Sequence, residues 1–326
     1  MGLHPRRATL PGEGTDAADA NGRRLMTAER VDVCICTFKR ASISDAIASL
    51  SKQILPPGVS LRVIVADNDA QPSARERVLA AAAAHDLDLV YVHAPAQNIS
   101  IARNACVAAS DSAWFAFIDD DETAAPDWLG RLLTARADAD VVFGVARAIY
   151  ADSAPVWMVR GDFHSNDLGR EKRIVSGYTS NVLIRRAAIE AHGLRFDPAL
   201  GKIGGEDTIF FYDLHQRGAR LSFAPEAVVY EEVGAGRQNL KWVLRRRYRA
   251  GQTHAHLMRR FHADKALPTT ALAALKTAYC ALLALVTAPF PTLSVRHFSR
   301  AVFHAGVVHF FMRPKFYAEY ARPSVN

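Results

Sequence analysis

The chain reads as an α/β protein: a mainly parallel sheet covered by helices on both faces, followed by a basic helical C-terminal region. Three observations predict this. From Val31 onward, short apolar runs alternate with segments of helical periodicity, the pattern of strand–helix–strand units. The 326 residues are 50% hydrophobic, ample for a large core. Charge is divided: residues 1–236 hold 25 Lys+Arg against 31 Asp+Glu, a net of −6, whereas 237–326 hold 15 against 2, a net of +13.

Residues 1–30 are polar, lack the apolar core of a signal peptide and are expected to be a disordered extension. Val31–Thr37 predicts a strand and Ile43–Lys52 a helix, with Ile43, Ala46, Ile47 and Leu50 at helical spacing. Leu61–Ala66 is a second strand running into Asp67-Asn68-Asp69, and Ser73–Ala84 an Ala-rich helix. Leu89–Val92 is a third strand, followed by a helix over Ile99–Ala109 with Asn98 as its cap. Trp114–Ile118 and Val141–Val145 are further strands, and 151–180 reads as a loop region. Ser180–Ile184 resumes as a strand before a short helix at Ala187–His192 and an amphipathic segment at Thr208–Arg217. Leu221–Phe223 and Val228–Tyr230 read as two short strands, and Leu240–Phe261 as a basic helix. The spacing of Cys34, Cys36, Cys106 and Cys280 suits neither a zinc site nor a disulfide framework, so they are expected to be reduced core residues of a cytosolic protein.

The fourth strand empties into Asp119-Asp120-Asp121-Glu122. Four carboxylates at a strand end repel one another unless cations sit among them, and a divalent metal carrying a phosphorylated ligand would resolve the repulsion. Capping of the helix that starts near Pro126-Asp127 would need one acid, and Asp119 and Asp120 lie too early for it. The first strand is followed by Thr37-Phe38-Lys39-Arg40 rather than a Gly-rich phosphate loop, so nucleotide binding must rest on side chains and metal.

Five motifs stand in order over residues 31–232: Cys36-Thr37-Phe38-Lys39-Arg40, Val65-Ala66-Asp67-Asn68-Asp69, Asn98-Ile99-Ser100-Ile101-Ala102-Arg103-Asn104, Phe117-Ile118-Asp119-Asp120-Asp121 and Gly205-Glu206-Asp207. Each is weak alone; together they resemble the inverting, nucleotide-sugar-dependent glycosyltransferases of family 2, and within them the bacterial exopolysaccharide enzymes of the succinoglycan type. The resemblance implies a GT-A fold with a Rossmann-like sheet over 31–236. It implies transfer from a nucleotide donor, expected to be a UDP-sugar, to a lipid-linked saccharide. It places Thr37, Phe38, Arg40, Asp67, Asp69, Arg103, Asp119 and Asp120 around the nucleotide-sugar, with Thr37 and Asp67 lining the base pocket, Arg103 reaching base or diphosphate, and Asp119 facing the ribose. Asp121 would hold Mg²⁺ or Mn²⁺, Asp207 would be the general base, Glu206 would orient the acceptor, and Asn181 would lie on the acceptor side. Trp157 is expected to stack on sugar or join the core, and His254 and His256 to approach the site or lie on a solvated face. Two other classes share some of these features: a metal-dependent nucleotidyltransferase, and a non-catalytic membrane- or polysaccharide-binding protein.

The basic tail suits an anionic partner, either nucleic acid or lipid on charge alone. The resemblance implies lipid and no nucleic acid. The cluster Trp242, Arg245, Arg246, Arg247, Tyr248, Arg249 departs from the Gln-x-x-Arg-Trp motif of processive synthases in that family, which favours single-sugar addition. Thr269–Phe290 is apolar but carries Lys276 and ends in prolines. It is therefore expected to lie in a membrane interface rather than span it or be buried, making 237–326 a peripheral anchor on the inner face of the cell membrane.

Overall fold

A computed structural model describes residues 29–316 apart from 170 and 172. Residues 1–28 of the expected disordered extension lie outside the described residues; Glu29 and Arg30 open the first strand. In chain order the elements are β1 (Glu29–Thr37), α1 (Ile43–Leu50), β2 (Val59–Asp67), α2 (Arg75–Ala84), β3 (Leu89–His93), α3 (Ile99–Ala109), β4 (Trp114–Asp119), β5 (Glu122–Ala124) and α4 (Trp128–Thr134). They continue with β6 (Val141–Ile149), α5 (Val156–Gly161), β7 (Asn181–Arg185), α6 (Arg186–Glu190), α7 (Glu206–Gln216), β8 (Leu221–Glu232), α8 (Leu240–Phe261), α9 (Ala266–Val286) and α10 (Pro291–Met312).

The eight strands form one sheet in the order β3-β2-β1-β4-β7-β6-β8-β5. β3, β2, β1 and β4 are mutually parallel. Their carboxyl ends therefore share one edge, with Thr37 level with Asp67, and Cys36 level with Asp119. β7 enters antiparallel between β4 and β6, and β5 caps β8 antiparallel, so the sheet is mixed but mainly parallel.

Strand periodicity divides the core into two layers. Val31, Val33 and Ile35 of β1 face α1, α2 and α4, packing with Ile43, Ile47, Val78, Trp128 and Leu132. Cys34, with Phe115 and Phe117 of β4, faces α3 and α7, packing with Ala102, Cys106, Phe210, Phe211 and Leu214. Burial of each large side chain of this kind stabilises the fold by about 1.5–3 kcal/mol. All four cysteines are free, as their spacing predicts.

Residues 221–232 form one continuous strand rather than two. The β6–β8 register slips between Phe143 and Val145, and the irregular stretch of β8 opposite, between Phe223 and Val228, contains Pro225, a residue tolerated at bulges. Asn181 fills that slip. It is fully buried; its Nδ2 donates to the carbonyls of Val145 and Ala227, both at 2.9 Å, and its Oδ1 accepts from Trp128 Nε1 at 2.8 Å. A Cβ on Gly144 would lie 2.3 Å from the Ala227 carbonyl and 2.5 Å from this amide, so only glycine fits opposite it. Asn181, expected on the acceptor side, thus has both amide hydrogens and its carbonyl oxygen engaged within the sheet.

The C-terminal helices form a layer of their own, with α8 packed on α10 and α10 on α9. α9 is not a buried helix. It turns the small residues Ala273, Cys280 and Ala284 inward and leaves its large apolar residues outside, with Leu267, Leu275 and Leu285 exposed at 81%, 70% and 75%.

Replacing Asn181 by Leu should leave two carbonyls and the Trp128 indole N–H unpartnered, destabilising the protein by about 3 kcal/mol in urea unfolding. Nucleotide affinity of the folded variant should be unchanged; native stability with an altered acceptor KM would return Asn181 to the acceptor side.

Candidate active site

The acids after β4 do not form one equivalent group. Glu122 is buried and folds back so that its Oε2 accepts the Asp119 backbone N–H at 2.9 Å; burial and the neighbouring Asp119 push its carboxyl well above the usual range. Asp120 is buried, accepts from Thr37 Oγ1 at 2.7 Å and lies 3.4 Å from Arg40 Nη1. Burial pushes it up to about 6 despite Arg40 and Thr37. Asp121 reaches furthest out, and its Oδ2 is shared by Arg40 and, at 3.8 Å, by Arg237 Nη2. Arg237 also pairs with Glu231 at the end of β8. Asp119 is pushed up to about 7 by burial and by Asp121, Asp120 and Glu231, against the pull of Arg103.

Among the described residues no group of three or more His, Cys, Asp or Glu converges as a ready metal cage. The donor set nonetheless suits a hard divalent cation. It consists of carboxylate oxygens only, and the mutual repulsion that raises Asp119 is what such a cation relieves.

The second strand end is more self-contained than the sequence reading allows. Asp67 is fully buried, and its carboxylate accepts from the Asp69 N–H at 3.1 Å, the Ala74 N–H at 2.9 Å and the Tyr91 hydroxyl at 2.7 Å. Three of about four acceptor sites are thus taken. Asp69 is buried beside Lys39 Nζ at 3.5 Å; the Ser73 hydroxyl, the Ala70 N–H and Lys39 hold its carboxyl below the usual range, outweighing the effect of burial. The Thr37 hydroxyl serves Asp120, and Phe38 is exposed at the mouth, with Lys39 over its ring.

Arg103 differs most from expectation. It is buried on α3, ion-paired to Glu206 and lying 5.6 Å from the Phe196 ring centroid. It lies on the Glu206-Asp207 side, and its charge is also felt by Asp119. The sequence fixes this placement through asparagines. Asn98 caps α3, accepting from Ser100 and Ile101 N–H, and its Nδ2 donates to the Pro198 carbonyl at 2.8 Å. Asn104 exchanges two hydrogen bonds with the Phe196 backbone. Gly204 and Gly205, at φ of +89° and +87°, then turn the chain into α7, a conformation other residues rarely adopt.

Glu206 is buried at 5% exposure, with Oε2 unpartnered. Asp207 in the first turn of α7 accepts from Thr208 N at 2.6 Å. Burial, then the adjacent Glu206 charge, push its carboxyl up to about 6, while Arg103 and the Thr208 bonds oppose the rise. A half-buried carboxylate of this kind is ionised near neutral pH yet basic enough to accept a proton.

Two residues of the site escaped the sequence reading. Arg237 was one of many basic tail residues, and Glu231 lay at the end of a strand with no motif around it. Conversely, Trp157 packs against Phe163 in a small core with Met158 and Val243, and His254 and His256 face Phe303 and Phe310 of α10 rather than the acids.

Comparison with known proteins agrees with this architecture. Residues 32–193 match the family described as Glycosyl transferase family 2. The chain is 45% identical over 282 residues to the succinoglycan biosynthesis protein ExoM of Rhizobium meliloti, covering 85% of this chain and 91% of that protein. It is 29% identical over 219 residues to the pre-mycofactocin glycosyltransferase of Mycobacterium tuberculosis, covering 64% of this chain and 44% of that one. Among solved structures, the mannosyltransferase PcManGT of Pyrobaculum calidifontis, in complex with GDP-Man and Mn²⁺, superposes with a TM-score of 0.60 at 20% identity, covering 89% of each chain. TarS of S. aureus, residues 1–349 with UDP-GlcNAc, gives 0.50 at 14% identity over 88% of this chain and 93% of that one. The fold is thus GT-A-like, and the chain belongs to glycosyl transferase family 2.

Proposed function

We propose that this chain is an inverting, metal-assisted glycosyltransferase that adds one sugar from a nucleotide donor, expected to be a UDP-sugar, to a lipid-linked saccharide in exopolysaccharide assembly. The observation that carries this reading is the position of Arg103, whose charge is felt both by Asp119 at the end of β4 and by Glu206-Asp207 at the start of α7. A donor-side acid group and a basic carboxylate thereby lie within reach of one buried charge. Kinship with a succinoglycan biosynthesis protein supports the exopolysaccharide role.

In this reading Asp207 accepts the proton of the acceptor hydroxyl as that oxygen attacks the anomeric carbon. The C1–O bond to the acceptor forms while the C1–O bond to the nucleoside diphosphate breaks, inverting the centre. Arg103 holds Glu206 against α3 and so fixes the start of α7. Asp119, Asp120 and Arg40 orient the donor, with Asp67 and Asp69 shaping the floor beside the base. Mg²⁺ or Mn²⁺ held by Asp121 would offset charge on the departing diphosphate.

The lipid-linked acceptor puts the reaction at a membrane, and the charge and shape of 237–326 support docking to its anionic cytoplasmic face. The segment Ala263–Val286 is long and apolar enough to span, by length and composition. α9 nevertheless packs along α10, which carries Arg296, His297, Arg300 and His304, and this favours side-on insertion of its outer face.

Four measurements test the reading. Calorimetric titration should show tight binding of one of UDP, GDP or CDP in Mn²⁺, weakened at least roughly tenfold by Asp121→Ala; indifference to both metal and variant would remove the metal from the scheme. The transfer rate should rise with pH through about 6 and level off above it, since Asp207 is protonated and idle below that value. Asp207→Asn should bind donor normally and lose transfer by roughly 10²- to 10⁴-fold; near-normal turnover would point to another base. Wild-type protein should co-sediment with vesicles of anionic lipid, and Leu275→Glu combined with Leu285→Glu should not. Equal sedimentation of both, or self-association through this face without lipid, would count against membrane docking.

A further inference from the structure

Arg237 lies in the turn Ala235–Arg237 that joins β8, the last strand of the sheet, to α8. Its guanidinium pairs with Glu231, donates to the Glu232 carbonyl at 3.0 Å and stands 3.8 Å from Asp121 Oδ2. Arg40 reaches that same Asp121 oxygen from the loop after β1. Two guanidinium groups from opposite ends of the fold thus converge on one half-exposed carboxylate.

The turn is braced from behind. The Arg237 carbonyl lies 3.1 Å from His164 Nε2, and His164 Nδ1 lies 3.1 Å from the Tyr150 hydroxyl. His164 is buried and stacks on Trp242 of α8 with ring centroids 4.6 Å apart and planes 15° from parallel. Burial pushes the imidazole down to about 4, so it is neutral near pH 7. Donation from Nε2 to the carbonyl then leaves Nδ1 to accept from Tyr150. A long side chain held this firmly loses little further entropy when it takes a ligand.

Asp121 is held between Arg40 and Arg237, whose second partners are Asp120 and Glu231. Should a divalent cation take Asp121, each guanidinium group would lose one of its two carboxylate partners and lie beside a like charge. A diphosphate, with several anionic oxygens, is the group that can hold a cation and two guanidinium groups together. We propose that Arg237 binds the diphosphate of the donor, with Arg40 opposite it, so that the C-terminal helical region completes the donor site from the side of α8. The inference rests on the nucleotide-sugar reading given above and adds a residue and a ligand chemistry to it. Arg237 is a donor-binding residue in this scheme, and Tyr150, His164 and Trp242 are positioning residues.

The test is calorimetric. Wild type, Arg237→Gln and Arg237→Lys are titrated in Mn²⁺ with the nucleoside diphosphate that wild type binds best among UDP, GDP and CDP, and with the matching nucleoside. Thermal unfolding is recorded for each, and Mn²⁺ binding is followed alone by electron paramagnetic resonance. Arg237→Gln should weaken diphosphate binding by roughly 10- to 100-fold, leave the nucleoside unchanged and bind Mn²⁺ no more weakly than wild type. Arg237→Lys should recover part of the loss. Equal diphosphate affinity in wild type and Arg237→Gln overturns the proposal. So does equal weakening of diphosphate and nucleoside, which would mark Arg237 as a support of the fold only. Should Arg237→Gln fail to fold, Arg237→Lys decides alone: full wild-type affinity for the diphosphate overturns the proposal, and selective weakening of it supports it. Wild type that binds none of the three diphosphates would instead overturn the donor reading beneath it.

Discussion

The site depends on holding buried and half-buried carboxylates close together at the edge of a sheet. Asp119, Asp120, Asp121 and Glu231 crowd one side and Glu206 and Asp207 the other. Burial alone raises their proton affinity, and proximity raises it further. Arg40, Arg103 and Arg237 offset the crowding, each from a different stretch of chain: the loop after β1, the helix after β3 and the turn after β8. A charge cluster assembled this way is a poor contributor to stability, because removing ions from water consumes most of what pairing returns. Clustered carboxylates with raised proton affinity at a sheet edge are what marks this region as the candidate site.

The C-terminal helices are joined to that cluster and are not a detached anchor. Through Arg237, the Tyr150–His164 hydrogen bond, the His164–Trp242 stack and the approach of Arg249 to the Ile203 carbonyl at 2.8 Å, α8 and the turn before it are tied both to the acids after β4 and to the loop that leads into Glu206. A Cβ on Gly205 would meet Thr253 of α8 at 2.5 Å, so this loop and this helix are fitted closely. The same layer carries, on its outer side, the exposed leucines of α9. Chemistry and proposed membrane contact thus share one rigid support.

Much of this was legible in the sequence. Strand and helix periods located most elements of the first 220 residues, because each apolar period reports burial on one or both faces; the three-residue β5 and the short α5, inside the stretch read as a loop, are too brief to show a period. The acid run after β4 and Glu206-Asp207 were legible as titratable clusters following apolar segments. Arg103 was singled out, but its pairing was not legible: nothing local tells a helix arginine that its partner is an acid 103 residues further along. The bonds of Asn181 were hidden for a related reason. Nothing at a strand start tells a polar residue that it will serve carbonyls left open by a register slip between two other strands.

Periodicity and composition along short stretches suffice for the class of fold, the order of its elements and the residue types at each strand end. Which charges meet is set only by folding. The Arg237–Asp121 approach, the Arg103–Glu206 pair and the Asn181 brace each join segments far apart in the chain, and their electrostatics depend on distance and burial in space. The same holds for α9, whose apolar residues could have been core or surface until packing turned the small ones inward and left the large ones out.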